Sequence, residues 1–170
     1  EAWDGDLRAI ASLGFNAVKF FVPWRWSHRS PDRFFFDDLD RLMDLAAGNG
    51  LGVTLNFILD VAPAWLYDRH PDARPVDATG RIVESRAVGH RTIGGHPGPC
   101  YRHPGALVDR QRFVAAAVEH FRGHPGLRMW DVWNEPELCF PQRQPDLSTM
   151  ACYCPRCVRG FRDWLREKFG

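Results

Sequence analysis

The feature that most constrains the fold is an alternation of two hydrophobic periods along the chain. Segments with apolar residues three and four apart, typical of amphipathic helices, alternate with short runs rich in apolar and β-branched residues. Helices are predicted at residues 4–13, 37–47 and 110–122 and around Val158, Phe161 and Leu165, and strands at residues 15–22, 51–58 and 127–133. Since buried parallel strands read as continuous apolar runs, the sequence predicts an α/β fold with a parallel sheet.

Two architectures share this alternation, a doubly wound sheet and a (β/α)8 TIM barrel. No glycine-rich phosphate loop follows any predicted strand, which argues against a nucleotide-binding doubly wound sheet. Barrel enzymes collect their functional residues where strands end. Here the predicted strands are followed by segments of unusual composition, at residues 23–26, 60–65 and 134–136. The long stretch 60–105, dense in Pro, Gly, His and Arg, is predicted to be a functional loop, and together these features favour a barrel enzyme.

Composition excludes several classes of protein. The 170 residues are 45% hydrophobic and 13% aromatic, too apolar for a disordered chain. A net charge of +1 gives no basic excess for nucleic acid, and no run reaches the roughly 18 apolar residues of a membrane span. No signal peptide is visible in these 170 residues. We expect a cytoplasmic protein. The chain starts at Glu1 without Met and stops just after a helix, so we expect a piece of a larger protein.

Five cysteines include a closely spaced cluster. Cys152, Cys154 and Cys157 form a C-x-C-x-x-C motif, whereas Cys100 and Cys139 stand alone. Crowded thiols without a secretory context favour a metal over disulfides. Four thiolates hold Zn²⁺ tetrahedrally and leave no open position for water, so such a zinc ion would be structural.

The three clustered thiols need one distant partner to complete a zinc site. Cys100 and Cys139 are both candidates, and Cys139 is nearer in sequence. His96 or His103 in place of a thiolate is a further alternative, as is a set of free or disulfide-linked cysteines.

A carboxylate after the third predicted strand is the candidate catalytic residue. Glu135 follows Asn134 and lies close in sequence to the indoles of Trp130 and Trp133. A glycosidase needs a carboxylic acid whose pKa is raised by apolar or anionic surroundings, so that it can protonate the departing sugar oxygen. Asn134 would hydrogen-bond a sugar hydroxyl. The alternative is that Asn-Glu-Pro is only a turn after a strand.

Other polar and aromatic side chains at predicted strand ends are candidate sugar contacts. Trp24, Trp26 and Trp65 have flat rings that can stack on sugars, with packing in the core as the alternative. We place Trp24, Trp65 and Asp60 with Asn134 among the substrate-binding candidates. Trp164, on a helical stripe, is predicted to be a core residue.

Asn134-Glu135 after a strand resembles the acid/base motif of the retaining (β/α)8 glycosidases, where it follows the fourth barrel strand. Within that clan the sequence resembles the β-galactosidases of glycoside hydrolase family 42. The similar segments are 14–18 (Gly-Phe-Asn-Ala-Val), 62–66 (Ala-Pro-Ala-Trp-Leu), 70–71 (His-Pro), 75–80 (Pro-Val-Asp-Ala-Thr-Gly) and 152–157 (Cys-Tyr-Cys-Pro-Arg-Cys) with the helix after it.

The resemblance implies hydrolysis of terminal β-galactosides with retention, with Glu135 acting first as acid and then as base. It implies Cys100 as the fourth zinc ligand and a homo-oligomeric, trimeric parent enzyme. The family's nucleophile is a Glu after the seventh strand, so this chain would be about the first half of the barrel and inactive alone. Asp60 and Asp131 are the nearest internal carboxylates, and we expect neither to be the nucleophile. We expect Asp131 to point into the barrel.

Two departures from the family pattern leave alternatives open. No Arg directly precedes Cys100, although Arg91 and Arg102 are close, and the segment after the first predicted strand lacks the usual acidic-Pro turn. The alternatives are another retaining β-glycosidase of the clan, of glucosidase or mannanase type, and a zinc-stabilised binding module without catalysis.

Overall fold

The computed structural model describes residues 2–83, 98–134 and 152–170. The helices in these ranges are α1 (Ala2–Ser12), α2 (Trp24–Ser27), α3 (Asp37–Gly48), α4 (Ala64–Arg69), α5 (Pro104–Phe121) and α6 (Pro155–Phe169). The strands are β1 (Ala17–Pro23), β2 (Gly52–Ile58) and β3 (Leu127–Asp131). A short 3-10 turn, Pro71–Ala73, follows α4. None of the described helices is long and apolar enough to cross a membrane.

The strands form a parallel sheet in the order β1-β2-β3. Ala17 pairs with Gly52 at the start of the register, and Val53 of β2 pairs with Leu127 of β3. The pairing of β2 with β3 shifts between Val53 and Thr54. The predicted α/β fold with a parallel sheet is therefore confirmed.

The chain divides into two compact units. The first comprises Glu1–Ile58 and Gln111–Asn134, and contains the sheet. The second comprises Leu59–Arg110 and Glu135–Gly170. The second unit contains α4, α6 and the described cysteines, whereas the first contains the sheet. Each unit therefore has its own candidate residues.

One face of the sheet carries the core of the first unit. Val22, Leu55 and Phe57 are buried there, because alternate residues of a strand point to the same side. Phe113 of α5 meets Phe57 edge-on, with ring centroids 6.1 Å apart. The ring of Trp130 stacks on Phe57 from the neighbouring strand, at 5.5 Å. Aromatic packing thus fixes the helix against the sheet.

The opposite face of the sheet carries an ion pair that spans the three strands. Lys19 of β1 pairs with Asp131 of β3 across the central strand, with Nζ and Oδ2 3.6 Å apart. The amide of Asn56, between them, donates to the backbone oxygen of Asp131 at 3.4 Å. Asp131 is therefore on the face away from Phe57, in an ion pair with Lys19.

Local signals in the sequence mark the ends of the helices. Gly14 has φ +88° after α1, and Gly50 has φ +74° after α3, a backbone region that glycine enters without steric penalty. Three aspartates occupy the first turn of α3, where the helix dipole favours negative charge. These local signals explain why the predicted helices 4–13 and 37–47 end within one residue of the ends of α1 and α3.

Several predicted boundaries are wrong. The third strand ends at Asp131 rather than at residue 133. The predicted loop 60–105 contains α4, the 3-10 turn and a bridge between Val76 and Ile82. Helix α5 begins at Pro104, six residues earlier than predicted, since proline suits a first helical position. Trp164 is 46% exposed rather than in the core.

Candidate functional site

Trp24 lies in the core of the first unit, directly after β1. Its side chain is fully buried, and its ring stacks on Phe113 with centroids 6.1 Å apart. Its Nε1–H donates to Nδ1 of His28 at 3.2 Å, so the proton of that imidazole sits on Nε2, 3.3 Å from the carbonyl of Pro31. This placement favours the packing alternative over a sugar contact for Trp24.

Trp26 is the exposed indole of the same short helix, with 53% of its surface accessible. The guanidinium of Arg29 lies 5.3 Å from its ring centroid and 4.3 Å from that of Phe35. The backbone N–H of Phe35 donates to the carbonyl oxygen of Ser27 at 2.8 Å and closes the loop between these residues. Of the tryptophans in this segment, Trp26 rather than Trp24 has a ring available for stacking.

The segment after β3 begins beside β2. The backbone N–H of Asn134 donates to the carbonyl of Phe57 at 3.3 Å, and the Asn134 side chain is half-buried. Asn134 thus follows the carboxyl end of a parallel strand, as predicted. Glu135, the predicted acid/base residue, and Cys139, one of the two candidate fourth ligands, lie outside the described residues.

Asp60 belongs to a buried network in the second unit. It is 2% exposed, and the hydroxyl of Tyr101 donates to its carboxylate. Burial, together with the hydrogen bond to Asp60, raises the pKa of Tyr101, so the phenol stays protonated and remains a donor. The guanidinium of Arg110 covers the Tyr101 ring at 4.3 Å. This placement favours an anchoring role for Asp60 over direct contact with a sugar.

Trp65 lies half-buried in α4, with the guanidinium of Arg69 4.8 Å from its ring. Arg69 also bonds Asp109 of α5 at 3.1 Å, and His70 bonds the other oxygen of that carboxylate at 3.0 Å. Since Asp109 is buried, this pairing satisfies its charge and attaches α4 to α5. Trp65 therefore lies on a well-supported helix.

The four described cysteines come together in the second unit. The Sγ atoms of Cys100, Cys152, Cys154 and Cys157 all lie within 4.8 Å of one another. Cys100 Sγ is 3.6 Å from Cys154 Sγ and 3.4 Å from Cys157 Sγ. Sulfur atoms bound to one zinc ion at about 2.3 Å are about 3.8 Å apart, whereas disulfide sulfurs are about 2.05 Å apart. The donor set fits a tetrathiolate metal site.

Three of the clustered thiols have pKa values shifted from that of a free cysteine. The hydrogen bond from the Cys100 thiol lowers the pKa of Cys152 to about 5, with help from the backbone N–H groups of Cys154 and Val76. The same hydrogen bond and burial raise the pKa of Cys100. Burial also raises the pKa of Cys157 to about 12. A bound divalent cation favours the thiolate form at every ligand, so metal binding would release protons.

Sequence reasoning missed the residues that support these groups. The carboxylate of Asp72 bonds His103 and Arg156, each close in sequence to a clustered cysteine. Tyr101 and Gly98, which contact Asp60, were also missed. A local sequence motif cannot reveal such partners, because the residues in contact are 31 to 84 positions apart in the sequence.

Comparison with known proteins decides the family. The Glyco_hydro_42 sequence family, described as beta-galactosidase, matches residues 1–170. The chain belongs to glycoside hydrolase family 42. Among curated members, beta-galactosidase LacZ of Heyndrickxia coagulans is 33% identical over 174 residues, covering 99% of this chain and 23% of the relative. Beta-galactosidase bgaB of Geobacillus kaustophilus is 29% identical over 171 residues, with the same two coverages.

The fold also matches solved structures of the family. The beta-galactosidase from the psychrophilic Marinomonas ef1 superposes with a TM-score of 0.76 at 26% identity, over 99% of this chain and 23% of that one. The resemblance inferred from the motifs is confirmed. The chain spans about a quarter of the length of the family 42 relatives it matches.

Proposed function

We propose that this chain is part of the catalytic barrel of a retaining β-galactosidase and supplies its acid/base residue, Glu135. Family membership over residues 1–170 carries the proposal, since the matched relatives are named beta-galactosidases. The position of Asn134, three residues after the end of a parallel strand, supports it, because barrel enzymes place their catalytic groups at that end of the sheet.

In the proposed reaction, the carboxylic acid of Glu135 protonates the leaving sugar oxygen. The same group, then ionised, removes a proton from the water that hydrolyses the glycosyl-enzyme intermediate. The nucleophile must be a second carboxylate about 5–5.5 Å away. The ion pair of Asp131 with Lys19 and the burial of Asp60 against Tyr101 support a nucleophile supplied by the rest of the protein.

Asn134 is proposed to hydrogen-bond the sugar next to the acid. Trp24, Trp65 and Asp60 remain predicted substrate contacts, although burial favours packing for Trp24 and anchoring for Asp60. The exposed ring of Trp26 is better placed to stack on a sugar than that of Trp24.

The zinc site is a separate part of the proposal. Cys100, Cys152, Cys154 and Cys157 would hold a structural Zn²⁺, as the mutual approach of their sulfurs supports. When bound, the ion would cross-link the segment around Cys100 to the start of α6. It would leave no position for a reacting water, since four protein ligands fill the tetrahedral coordination of zinc.

Glu135→Gln in the full-length protein tests the catalytic role. We expect kcat on nitrophenyl β-galactoside to fall by roughly 10²–10⁴-fold, because the amide neither donates the proton nor accepts it back. Glu119→Gln is the matched control, since Glu119 is an exposed residue of α5 in an ion pair with Arg122. Unchanged turnover in the Glu135 variant would favour a non-catalytic binding module.

A panel of nitrophenyl glycosides on the same protein tests the sugar. We expect hydrolysis of the β-galactoside in preference to the others. Activity confined to the β-glucoside or β-mannoside would replace the galactosidase proposal with another retaining β-glycosidase of the clan.

Elemental analysis of protein purified without chelator tests the metal, with one zinc per chain expected. Cys154→Ser should lose the metal, because a hydroxyl is a much weaker zinc ligand than a thiolate. The fourth ligand is identified by comparing Cys100→Ser with Cys139→Ser. Zinc lost in the Cys139 variant and retained in the Cys100 variant would contradict the proposed ligand set, and zinc-free wild-type protein would contradict the site altogether.

A further inference from the structure

A single carboxylate joins the two segments that carry the clustered cysteines. Asp72, in the 3-10 turn after α4, accepts a hydrogen bond from Nε2 of His103 at 3.0 Å. Nδ1 of the same ring accepts the backbone N–H of Ala106 at 3.0 Å, which places the ring proton on Nε2. His103 lies three residues after Cys100, and its own N–H donates to the Cys100 carbonyl at 3.0 Å. Asp72 thereby holds the first cysteine segment.

The same carboxylate holds the second cysteine segment. Arg156 lies between Cys154 and Cys157 in the first turn of α6. Its Nη2 donates to the Asp72 carboxylate at 2.7 Å and to the Asp72 backbone oxygen at 2.8 Å. The backbone oxygen and a carboxylate oxygen of Asp72 therefore both bind the guanidinium of Arg156, which lies 84 positions away along the chain.

Backbone hydrogen bonds of residues just after Asp72 also hold both cysteine segments. The N–H of Cys100 donates to the carbonyl of Ala73 at 2.7 Å, and the N–H of Tyr153 donates to the carbonyl of Val76 at 2.7 Å. The N–H of Val76 donates to Sγ of Cys152 at 3.3 Å. Residues 72–76 thus form a strip to which both cysteine segments are attached.

We propose that Asp72 is a positioning residue that holds the two cysteine segments together, so that the four thiols already lie at ligand separation before the metal binds. The role in metal binding rests on the zinc site proposed above. Ordering ligands on binding costs free energy, so a framework that orders them beforehand raises affinity. Partners beyond the ligands themselves typically change metal affinity about 10–100-fold.

Because Asp72 is exposed, its positioning role can be distinguished from a contribution to the stability of the whole fold. Its side chain is 68% exposed, so solvent screens its pairs with His103 and Arg156 and limits their contribution to the folding free energy. Loss of Asp72 should therefore leave the fold intact while the two cysteine segments separate more often. Such separation opens the thiols to competing ligands, and its effect appears in the rate of metal release.

The first test measures zinc release to a chromogenic chelator from the full-length protein. We expect Asp72→Ala to release zinc about 10-fold faster than wild type, with Asp72→Glu restoring most of the difference because it keeps the carboxylate. Asp163→Asn is the control, since Asp163 forms an ion pair of the same 2.7 Å length with Arg166 within α6. Equal release rates for Asp72→Ala and wild type would overturn the proposal.

The second test uses no metal. In chelator-treated protein, we expect the amides of Cys100 and Tyr153 to exchange hydrogen about 10-fold faster in Asp72→Ala, with the amides of the sheet unchanged. If the wild-type protein proves to lack zinc and exchange is still faster in Asp72→Ala, the positioning role would be supported while the zinc proposal would be rejected. Unchanged exchange at both amides, or an equal increase throughout the chain, would overturn the positioning role itself.

Discussion

Gly98 shows how a single residue can be fixed by a contact far away in the sequence. A Cβ added at this position would lie 2.7 Å from both Cα and the carbonyl oxygen of Asp60. Backbone atoms cannot move aside as a flexible side chain does. The close approach therefore requires glycine here, and it brings the segment before Cys100 against the buried Asp60.

Gly98→Ala should destabilise the protein by about 1–3 kcal/mol, because the methyl group forces the two backbone segments apart. Thermal or denaturant unfolding measures the loss. Gly123→Ala is the matched control, since a Cβ there meets no heavy atom within 4 Å. Equal stability of the two variants would show that the approach of Gly98 to Asp60 does not constrain the fold.

The turn that begins at Asp77 shows how an element depends on one ionised side chain. Oδ1 of Asp77 accepts from the backbone N–H and the hydroxyl of Thr79, at 2.8 and 2.7 Å, and from the N–H of Arg81 at 3.0 Å. Gly80 completes the turn at φ +84°. The Thr79 hydroxyl and then the Arg81 amide lower the pKa of Asp77 below its usual value.

A lowered pKa in the folded state sets the direction of the pH dependence. The contribution of Asp77 to stability is fully present above its unfolded pKa of about 3.9 and is lost as the pH falls through the lower folded value. We expect Asp77→Asn to reduce the dependence of the melting temperature on pH below about 4. Asp68→Asn, at an exposed residue of α4, serves as the control. An identical acid profile for wild type and Asp77→Asn would contradict this role.

At the scale of the whole molecule, the described sheet has unpaired edges. Strands β1 and β3 each have one neighbour in the described chain, and Phe21 and Met129 are 46% and 57% exposed. On α6, Phe161 and Phe169 are 59% and 70% exposed. Open sheet edges and exposed apolar side chains favour association, and a closed barrel removes the edges.

The 170-residue chain expressed alone should therefore be inactive and should associate or aggregate. Size-exclusion chromatography with light scattering, together with the nitrophenyl β-galactoside assay, measures both properties against the full-length protein. Its relatives are about four times as long, and the proposed nucleophile is to be supplied by the remainder. Measurable hydrolysis by the 170-residue chain would contradict the proposed division of the active site.

The sequence by itself determined the α/β fold, the parallel sheet and the family. These depend on local signals, namely hydrophobic period, helix stops such as Gly14 and Gly50, and motifs whose residues are close together. The C-x-C-x-x-C motif likewise showed the thiol cluster without any structure. Local hydrogen-bond geometry and side-chain periodicity are set within a few residues, so a sequence pattern can report them.

Only the tertiary structure decided which side chains support those groups. It buried Trp24 and Asp60, exposed Trp26 and brought Asp72 between two cysteine segments. A residue's burial and its distant partners depend on how helices and strands pack, and sequence spacing does not encode that packing. The sequence therefore identified Trp24, after β1, and Asp60, after β2, correctly as strand-end residues. Their burial and their partners became known only from the fold.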